Sequence, residues 1–297
     1  MDQLAFGDVT VTRVEEMHGP IMPPADFFPT IAPAAWTQAR ELLVPDHLNE
    51  TGDWVNVAMQ TWVLRSGGKT ILIDTGVGND KSRPAVEAWD HNSFDYLGAL
   101  AAAGIAPDEV DIVVNTHLHV DHVGWNTTLS NGAWVPTFRN ATYLMPKADV
   151  EYWAPSNTDT TGTVNENVYQ DSVQPILDAG QVRVWDESFV IDDALTLQST
   201  PGHTPGTSVV LLASGGTHAL FAGDLVHSPI QVHHHEHNSC FCLDPAAAIA
   251  SRRTMFDWAI EHNATVLPAH FSGQGAFEVG RSGNGYVLRN WAALDRL

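Results

Sequence analysis

The chain has 297 residues, of which 44% are hydrophobic and 16% are charged, and this composition is typical of a globular protein. Its 35 acidic and 14 basic residues give a formal net charge of −21 at pH 7. That charge argues against binding to nucleic acid or to an anionic membrane surface, because both require clustered Lys and Arg. We therefore expect neither nucleic acid nor membrane as a partner.

The two cysteines, Cys240 and Cys242, are separated by one residue. Side chains at that spacing are badly placed to bridge one another, and free thiols indicate a reducing compartment. The N-terminal residues lack the basic region and apolar core of a secretory signal, and no apolar run reaches the length of a membrane span. The expected location is the cytoplasm.

The N-terminal part of the chain changes character after a first predicted strand at residues 9–14, where apolar residues alternate with a period of two. Residues 18–53 carry six prolines, too many for the core of a sheet, and we interpret them as a Pro-rich arm. Helical turns are expected at residues 33–43. The arm covers the mouth of a site, contacts a second subunit in a homodimer, or wraps around its own core.

Three aromatic residues of the arm, Phe27, Phe28 and Trp36, look exposed in the sequence. We interpret Phe27 and Phe28 as candidates for the wall of a substrate pocket.

The rest of the chain is predicted to contain two successive sets of strands, each finished by a helix. A β-hairpin is expected at residues 57–65 and 70–74, a helix from Ser93 to Gly104, and a buried strand at 110–114. Further strands are expected at residues 142–145, 182–185, 195–198, 207–212, 219–222 and 265–267, with helices at 165–179 and 244–262. This order predicts one α/β domain over residues 1–297, in which helices cover two sheets packed face to face.

Directly after the predicted strand at residues 110–114, three histidines and one aspartate fall within six residues: His117, His119, Asp121 and His122. A loop at the end of a strand can aim all four side chains at one centre, and this pattern predicts a transition-metal site. A solvated polar loop is the alternative interpretation.

Three other predicted strand ends each present one potential ligand, namely His203, Asp224 and His270. A lone histidine is more often structural, so each of these means little by itself. Together with the first cluster they provide five histidines and two aspartates, which is enough for two divalent ions.

The His-x-His-x-Asp-His sequence, followed by separate His, Asp and His strand ends, resembles the metallo-β-lactamase superfamily of hydrolases. The resemblance extends over residues 57–270 and includes five motifs in the family's order. It implies a four-layer αβ/βα sandwich with two metal ions at one edge of the paired sheets. The implied ligands are His117, His119 and His203 for one ion, Asp121, His122 and His270 for the other, and Asp224 with a hydroxide between them.

The resemblance also suggests roles for residues around the metals. Asp74, at the family's first motif, would orient a ligand histidine. Zinc is the expected metal, with Mn, Fe or Co as alternatives. Asp121 or His227 would shuttle a proton, and His227 would donate to the substrate carbonyl or leaving group, unless it only braces its loop. Trp125 is a further candidate for the pocket wall.

Within the superfamily, the complete ligand set is similar to that of the N-acyl-homoserine lactonases, and residues 223–231 are similar to methyl-parathion hydrolase relatives. This implies a dinuclear hydrolase of small carboxyl esters or lactones, in which a bridging hydroxide attacks the carbonyl. Organophosphate triester hydrolysis and a di-iron redox protein are the alternatives. The histidine-rich run at residues 233–237 is either another metal site or a solvated loop at the pocket rim.

Overall fold

The computed structural model describes residues 2–292 and 295–296. The strands are β1 (Asp2–Phe6), β2 (Val9–Met22), β3 (Val55–Ser66), β4 (Lys69–Ile73), β5 (Ile112–Val114), β6 (Thr127–Ser130), β7 (Ala133–Pro136), β8 (Thr142–Pro146), β9 (Val182–Trp185), β10 (Ser188–Val190), β11 (Leu195–Ser199), β12 (Ser208–Ser214), β13 (Thr217–Gly223), β14 (Thr265–Pro268), β15 (Phe277–Ser282), β16 (Gly285–Trp291) and β17 (Asp295–Arg296). The helices are α1 (Pro24–Phe27), α2 (Pro33–Gln38), α3 (Arg40–Leu43), α4 (Tyr96–Ala102), α5 (Lys147–Tyr152), α6 (Gln174–Asp178), α7 (Ile230–His233) and α8 (Pro245–His262), with a π-helical turn at Tyr169–Val173 before α6.

Two large sheets contain most of these strands. One has eight strands in the order β17-β1-β2-β3-β4-β5-β8-β9, and the other has seven in the order β10-β11-β12-β13-β14-β15-β16. Strands β6 and β7 form a separate hairpin. In the first sheet β4 and β5 are parallel, and in the second β13 and β14 are parallel, so that several strands end at a shared edge.

Alternating side chains divide the core into layers. In β3, Trp62 and Leu64 belong to a cluster that both sheets contribute to, whereas Val63 points to the opposite face, where α4 and the arm pack. In β13, Phe221 points into the cluster between the sheets and Leu220 points out towards α8. The predicted α/β four-layer sandwich is therefore confirmed.

The single domain predicted over residues 1–297 stays a prediction, and residues 1, 293, 294 and 297 lie outside the described residues. Among the residues that the structure describes, no helix is long and apolar enough to cross a membrane.

The arm differs from its prediction in two respects. Its first five residues, 18–22, belong to β2, because antiparallel pairing with β3 continues through Pro20 to Met22. The expectation that Phe27, Phe28 and Trp36 are exposed was wrong, since only 3%, 0% and 6% of their surfaces are accessible. These rings pack on the chain's own core, and the helical turns expected at residues 33–43 are present as α2 and α3.

The start of α4 was also predicted wrongly, at Ser93 rather than Tyr96. The Asp95 side chain accepts a hydrogen bond from the Gly98 amide and so caps the helix at this point. Phe94 is held outside the helix because its amide donates to Oδ1 of Asn79. The Asp95 cap and the contact with the loop of Asn79 therefore determine where α4 begins.

A buried ion cluster joins residues 81–83 to the π-helical turn. The guanidinium of Arg83 donates to both carboxylate oxygens of Asp171, at 2.7 and 2.8 Å, and Lys81 Nζ lies 3.4 Å from Oδ1. Lys81 also lies over the ring of Trp134, at 3.9 Å. Burial lowers the pKa of Lys81 to about 8, and Lys81 and Arg83 are 0% and 2% exposed.

Replacement of Asp171 by alanine would leave two buried cations without their carboxylate. We expect Asp171→Ala to lower the free energy of unfolding by about 3–5 kcal/mol, as measured by urea denaturation. Asp108→Ala is the control, because Asp108 pairs with Arg139 at 3.7 Å on the surface, where 64% and 76% of the two side chains are exposed. Exposed pairs contribute about 1 kcal/mol or less. Equal effects of the two substitutions would contradict a stabilising role of the cluster.

Candidate metal centre

The seven candidate ligands lie at the edge where the carboxyl ends of four strands meet. Four of them follow β5 in one loop, and the other three follow β11, β13 and β14. The structure thus brings together every residue that the sequence predicted as a metal ligand: His117, His119, Asp121, His122, His203, Asp224 and His270.

Hydrogen bonds from backbone amides hold the loop after β5 in place, and the polar side chains of the loop are free to face the centre. Alternate residues of this loop, Leu118 and Val120, are buried in the core, and their amides donate to Asp149 and Asn165. Gly124 ends the loop in close contact with the neighbouring chain, since a Cβ there would lie 1.9 Å from the carbonyl of Val77. Alternation between core and centre explains why His117, His119 and Asp121 are spaced two apart.

The first group of ligands comprises three imidazoles and a carboxylate whose ligand atoms all lie within 4.8 Å of one another. Nδ1 of His119 lies 3.1 Å from Nε2 of His117 and 2.9 Å from Nε2 of His203. Oδ2 of Asp224 lies 3.1 Å from His203 Nε2 and 3.7 Å from His117 Nε2. Ligands of a tetrahedral zinc ion at about 2.0–2.1 Å are separated by roughly 3.3 Å, so the group matches that arrangement.

The second group comprises Asp121, His122 and His270. Nε2 of His122 lies 3.7 Å from Asp121 Oδ1, and Nε2 of His270 lies 3.5 Å from Asp121 Oδ2. The second oxygen of Asp224, Oδ1, lies 3.3 Å from His122 and 3.0 Å from His270. The two oxygens of one carboxylate therefore face the two groups.

The charges of these groups also fit metal ions. Burial lowers the pKa of His117 well below its usual value, which leaves its imidazole neutral and able to bind a metal. Burial alone would also lower the pKa of His122, but the carboxylates of Asp224 and Asp74 outweigh it and raise that pKa well above its usual value. The centre therefore requires positive charge beside Asp224, which either protons or divalent ions supply. Nε2 of His122 and Oδ1 of Asp224 are buried without a hydrogen-bond partner, as expected for atoms that bind an ion.

Each ligand histidine except His119 has a described partner on its other ring nitrogen. Asp74 Oδ2 lies 2.8 Å from Nδ1 of His122, as the sequence predicted for a residue that orients a ligand. Asp74 also accepts from the amide and hydroxyl of Thr116, and it has φ of +57°, an unusual value for a residue other than glycine. It thereby connects the end of β4 to the loop after β5.

Two of the remaining ring nitrogens face oxygen atoms and one faces sulfur. Nδ1 of His117 lies 3.1 Å from the Thr116 hydroxyl, and Nδ1 of His270 donates to the Ala58 carbonyl at 3.0 Å. Nδ1 of His203 lies 3.6 Å from Sγ of Cys242, one of the two free cysteines. The expectation of free thiols is thus confirmed, and one of them contacts a ligand.

Sequence reasoning missed Asp149, which lies in α5 and is 0% exposed. Its carboxylate accepts from the amide of Leu118 and from the hydroxyl of Thr204 and the amide of Gly206. It therefore ties the loop that carries His117 to the loop that carries His203. No local pattern marks this residue, because its partners are 31 to 57 positions away.

His227 lies at the centre, as expected, with Nε2 3.2 Å from Asp224 Oδ2 and the ring stacked on His270 at 5.7 Å. Its amide donates to Oε1 of Gln231, which also lies 3.4 Å from Nδ1. Burial lowers the pKa of His227 to about 4, and its imidazole is neutral at pH 7.

A cavity of about 200 Å³ opens above the ligands. None of the described residues that line it is Lys or Arg, and most are apolar. Its wall includes Ile21, Met22, Phe27, Met59, Trp89 and Phe241. The side chains that contact a bound molecule there, apart from the ligands, are thus largely uncharged.

Two predictions about this wall need correction. Trp125 does not line the cavity, because its indole stacks on Tyr96 at 5.2 Å and donates to Oε1 of Glu16 at 2.6 Å. Phe28 lies behind Phe27, with ring centroids 4.7 Å apart, and does not reach the cavity. Of the three aromatic residues proposed from the sequence, only Phe27 lines it.

Comparison with known proteins is consistent with this geometry. The sequence model described as "Metallo-beta-lactamase superfamily" matches residues 58–270. The N-acyl homoserine lactonase AttM of Agrobacterium fabrum is 25% identical to this chain over 185 residues. The match covers 61% of this chain and 64% of that relative, which is less than two thirds of the relative's own length.

Two solved structures share the fold over almost the full length. AidC, a dizinc quorum-quenching lactonase in complex with a product, has a TM-score of 0.78 and 19% identity and covers 99% of this chain and 98% of its own. The hydrolase AbOPH has a TM-score of 0.79 and 21% identity and covers 98% of each chain. At these identities the likeness shows the fold alone.

Loss of the hydrogen bond between Asp74 and His122 should weaken metal binding without removing a ligand. We expect Asp74→Asn to lower the affinity for the ion held by His122 about 10–100-fold, as measured by competition with a chromophoric chelator. Asp111→Asn is the control, because Asp111 similarly accepts from a backbone amide, that of Thr70, outside the ligand groups. Unchanged metal affinity in Asp74→Asn would show that Asp74 does not orient the ligand.

Proposed function

The chain belongs to the metallo-β-lactamase superfamily, and from that premise we propose that it is a dinuclear metal-dependent hydrolase of small, uncharged carboxyl esters or lactones. The observation that carries this proposal is the position of the two ligand groups at the floor of a cavity whose described lining includes no Lys or Arg. Such a cavity favours a neutral, largely apolar substrate over an anionic one.

The ligand set supports two zinc ions. His117, His119 and His203 would hold one ion, Asp121, His122 and His270 the other, and Asp224 both, because its two oxygens face the two groups. Imidazole and carboxylate are ligands that zinc prefers, although Mn, Fe and Co bind similar sets. Bound metal would supply an activated water as the nucleophile and a Lewis acid for the attacked carbonyl.

The chain's own residues would orient the substrate and move protons. Asp121 lines the cavity, and 13% of its side chain is exposed, so it is accessible to a proton released by the attacking water. His227 also lines the cavity, with Nε2 3.2 Å from Asp224 Oδ2, and its ring would donate a hydrogen bond to an oxygen placed at the cavity floor. We propose that His227 donates to the substrate carbonyl or to the leaving oxygen.

The apolar wall would exclude water and hold the acyl or alkyl part of the substrate. Phe27 packs edge-on against His227, with centroids 5.7 Å apart, and so connects the wall to the reacting region. The lactonases among the similar proteins act on N-acyl homoserine lactones, as their names state. A lactone with an apolar acyl group is the form of substrate that we propose to test first.

Hydrolysis of neutral phosphotriesters is the second candidate, because the same uncharged cavity accepts a triester and the same ligand pair suits an in-line displacement. The rates at which the zinc-loaded protein hydrolyses a panel of lactones, aryl esters and phosphotriesters separate the two candidate activities. A redox-active iron pair without esterase activity in the purified protein would refute both.

We expect Asp224→Asn to lower the turnover of both a lactone and an aryl ester by at least about 10²-fold, because one oxygen of the carboxylate becomes an amide that binds metal poorly. The steady-state rate of metal-reconstituted protein is the measurement. Asp95→Asn is a matched control, since Asp95 caps α4 and asparagine caps a helix equally well. A wild-type rate in Asp224→Asn would overturn the assigned centre.

The role of His227 predicts a dependence on the leaving group. Because the His227 imidazole is neutral at pH 7, it would first accept the proton released by the attacking water and then pass it to the leaving oxygen. A group that transfers a proton in this way contributes about 10²–10⁴-fold to the rate, so His227→Ala should reduce kcat strongly for an alkyl ester or lactone. The loss should be much smaller for a p-nitrophenyl ester, whose leaving group needs no proton. His218→Ala is the control, because His218 packs against Trp258 and His262 away from the centre. Equal losses for both kinds of ester would refute proton donation to the leaving group and leave carbonyl polarisation.

A further inference from the structure

The histidine-rich run after α7 contains a third group of possible ligands, separate from the seven at the cavity floor. His234, Glu236 and His237 each offer one ligand atom, and the three atoms lie within 4.8 Å of one another. We propose that these residues form a third metal site, which binds a zinc-type divalent cation. The proposal does not depend on hydrolytic activity.

A tight turn explains how neighbouring histidines come to face one point. The amide of His237 donates to the carbonyl of His234 at 3.0 Å, and this turn places the two rings 6.0 Å apart. His235 points inward instead and packs against Tyr286, with centroids 4.8 Å apart. The run is thus not a random array of exposed rings, because the turn selects two of its histidines.

The ring of His237 is already oriented as a ligand would be. Its Nδ1 lies 2.7 Å from the hydroxyl of Thr30, and its Nε2 lies 3.7 Å from Oε1 of Glu236. A partner on one ring nitrogen holds the ring in place and leaves the other nitrogen for a metal, as is usual for ligand histidines. Two imidazoles and one carboxylate are also a set that zinc uses in proteins.

The backbone of the run is held rigidly from below by a buried cation. The guanidinium of Arg252, which is 0% exposed, donates to the carbonyl of His235 at 2.6 Å and to Oδ1 of Asn238 at 2.9 Å. Nε2 of Gln231 donates to the carbonyl of His237 at 3.0 Å. Binding would therefore cost little conformational entropy, and this favours a metal site on the loop.

The position of the site connects it to the cavity wall. Thr30 lies three residues after Phe27, which lines the cavity, and the amide of Cys240 donates to the carbonyl of Phe27 at 2.9 Å. A cation held by the loop would therefore strengthen the attachment of the arm beside the cavity. Because Glu236 is 48% exposed and only three protein ligands are present, we expect weaker binding than at the dinuclear centre.

The test is a zinc titration of protein whose dinuclear centre is already filled. Bound zinc is measured by elemental analysis after equilibrium dialysis at rising free zinc concentrations. We expect three ions per chain in the wild type and two in His234→Ala and His237→Ala. His233→Ala is the matched control and should keep three, because His233 is an exposed neighbour outside the group.

Two ions in the wild type, or three in His237→Ala, would overturn the proposal. If His237→Ala also loses ions from the dinuclear centre, Glu236→Gln decides, since it keeps the shape of the exposed side chain and removes its charge. Weakening of only the third ion in Glu236→Gln supports the site, and an unchanged third ion refutes it.

Discussion

The negative charge of Asp224 is the constraint on which the centre depends. Its carboxylate is 3% exposed, and it lies within 3.3 Å of imidazoles from four separate segments of the chain. Burial alone would raise the pKa of the Asp224 carboxyl, but these imidazoles hold that pKa well below its usual range. A buried anion is tolerated only with nearby positive charge, and so this one side chain makes the stability of the fold depend on positive charge at the centre.

The sheets bring these segments together because several strands end at one edge. β4 and β5 run parallel in one sheet, and β13 and β14 run parallel in the other, so that the loops after them converge. Two buried aspartates then join loops that the strands only bring close: Asp74 links the ends of β4 and β5, and Asp149 links the loops of His117 and His203. The geometry of the candidate ligands thus depends on carboxylates that lie outside the two ligand groups.

The layers of the fold and the candidate ligands after β5 could be predicted from the sequence, because both leave local patterns: period-two strands, and a dense His and Asp cluster after a buried strand. The positions of Asp149 and Cys242 beside the centre could not, since the ligand loops that they contact lie 31 or more positions away. Trp125 was misplaced for the same reason. Its proximity to the metal loop suggested a pocket wall, but the indole bonds to Glu16, 109 positions earlier, on the other side of the loop.

The cavity wall and the ligand loops come from different parts of the chain. Apart from Val120, the apolar wall is built by the end of β2, the arm, β3, residues 85–89, Val164 and Phe241, whereas the ligands follow β5, β11, β13 and β14. Substitutions in the wall segments would therefore change the shape and hydrophobicity of the cavity and leave the ligand atoms in place. This separation allows the specificity of the protein to diverge in evolution while the metal chemistry is inherited unchanged.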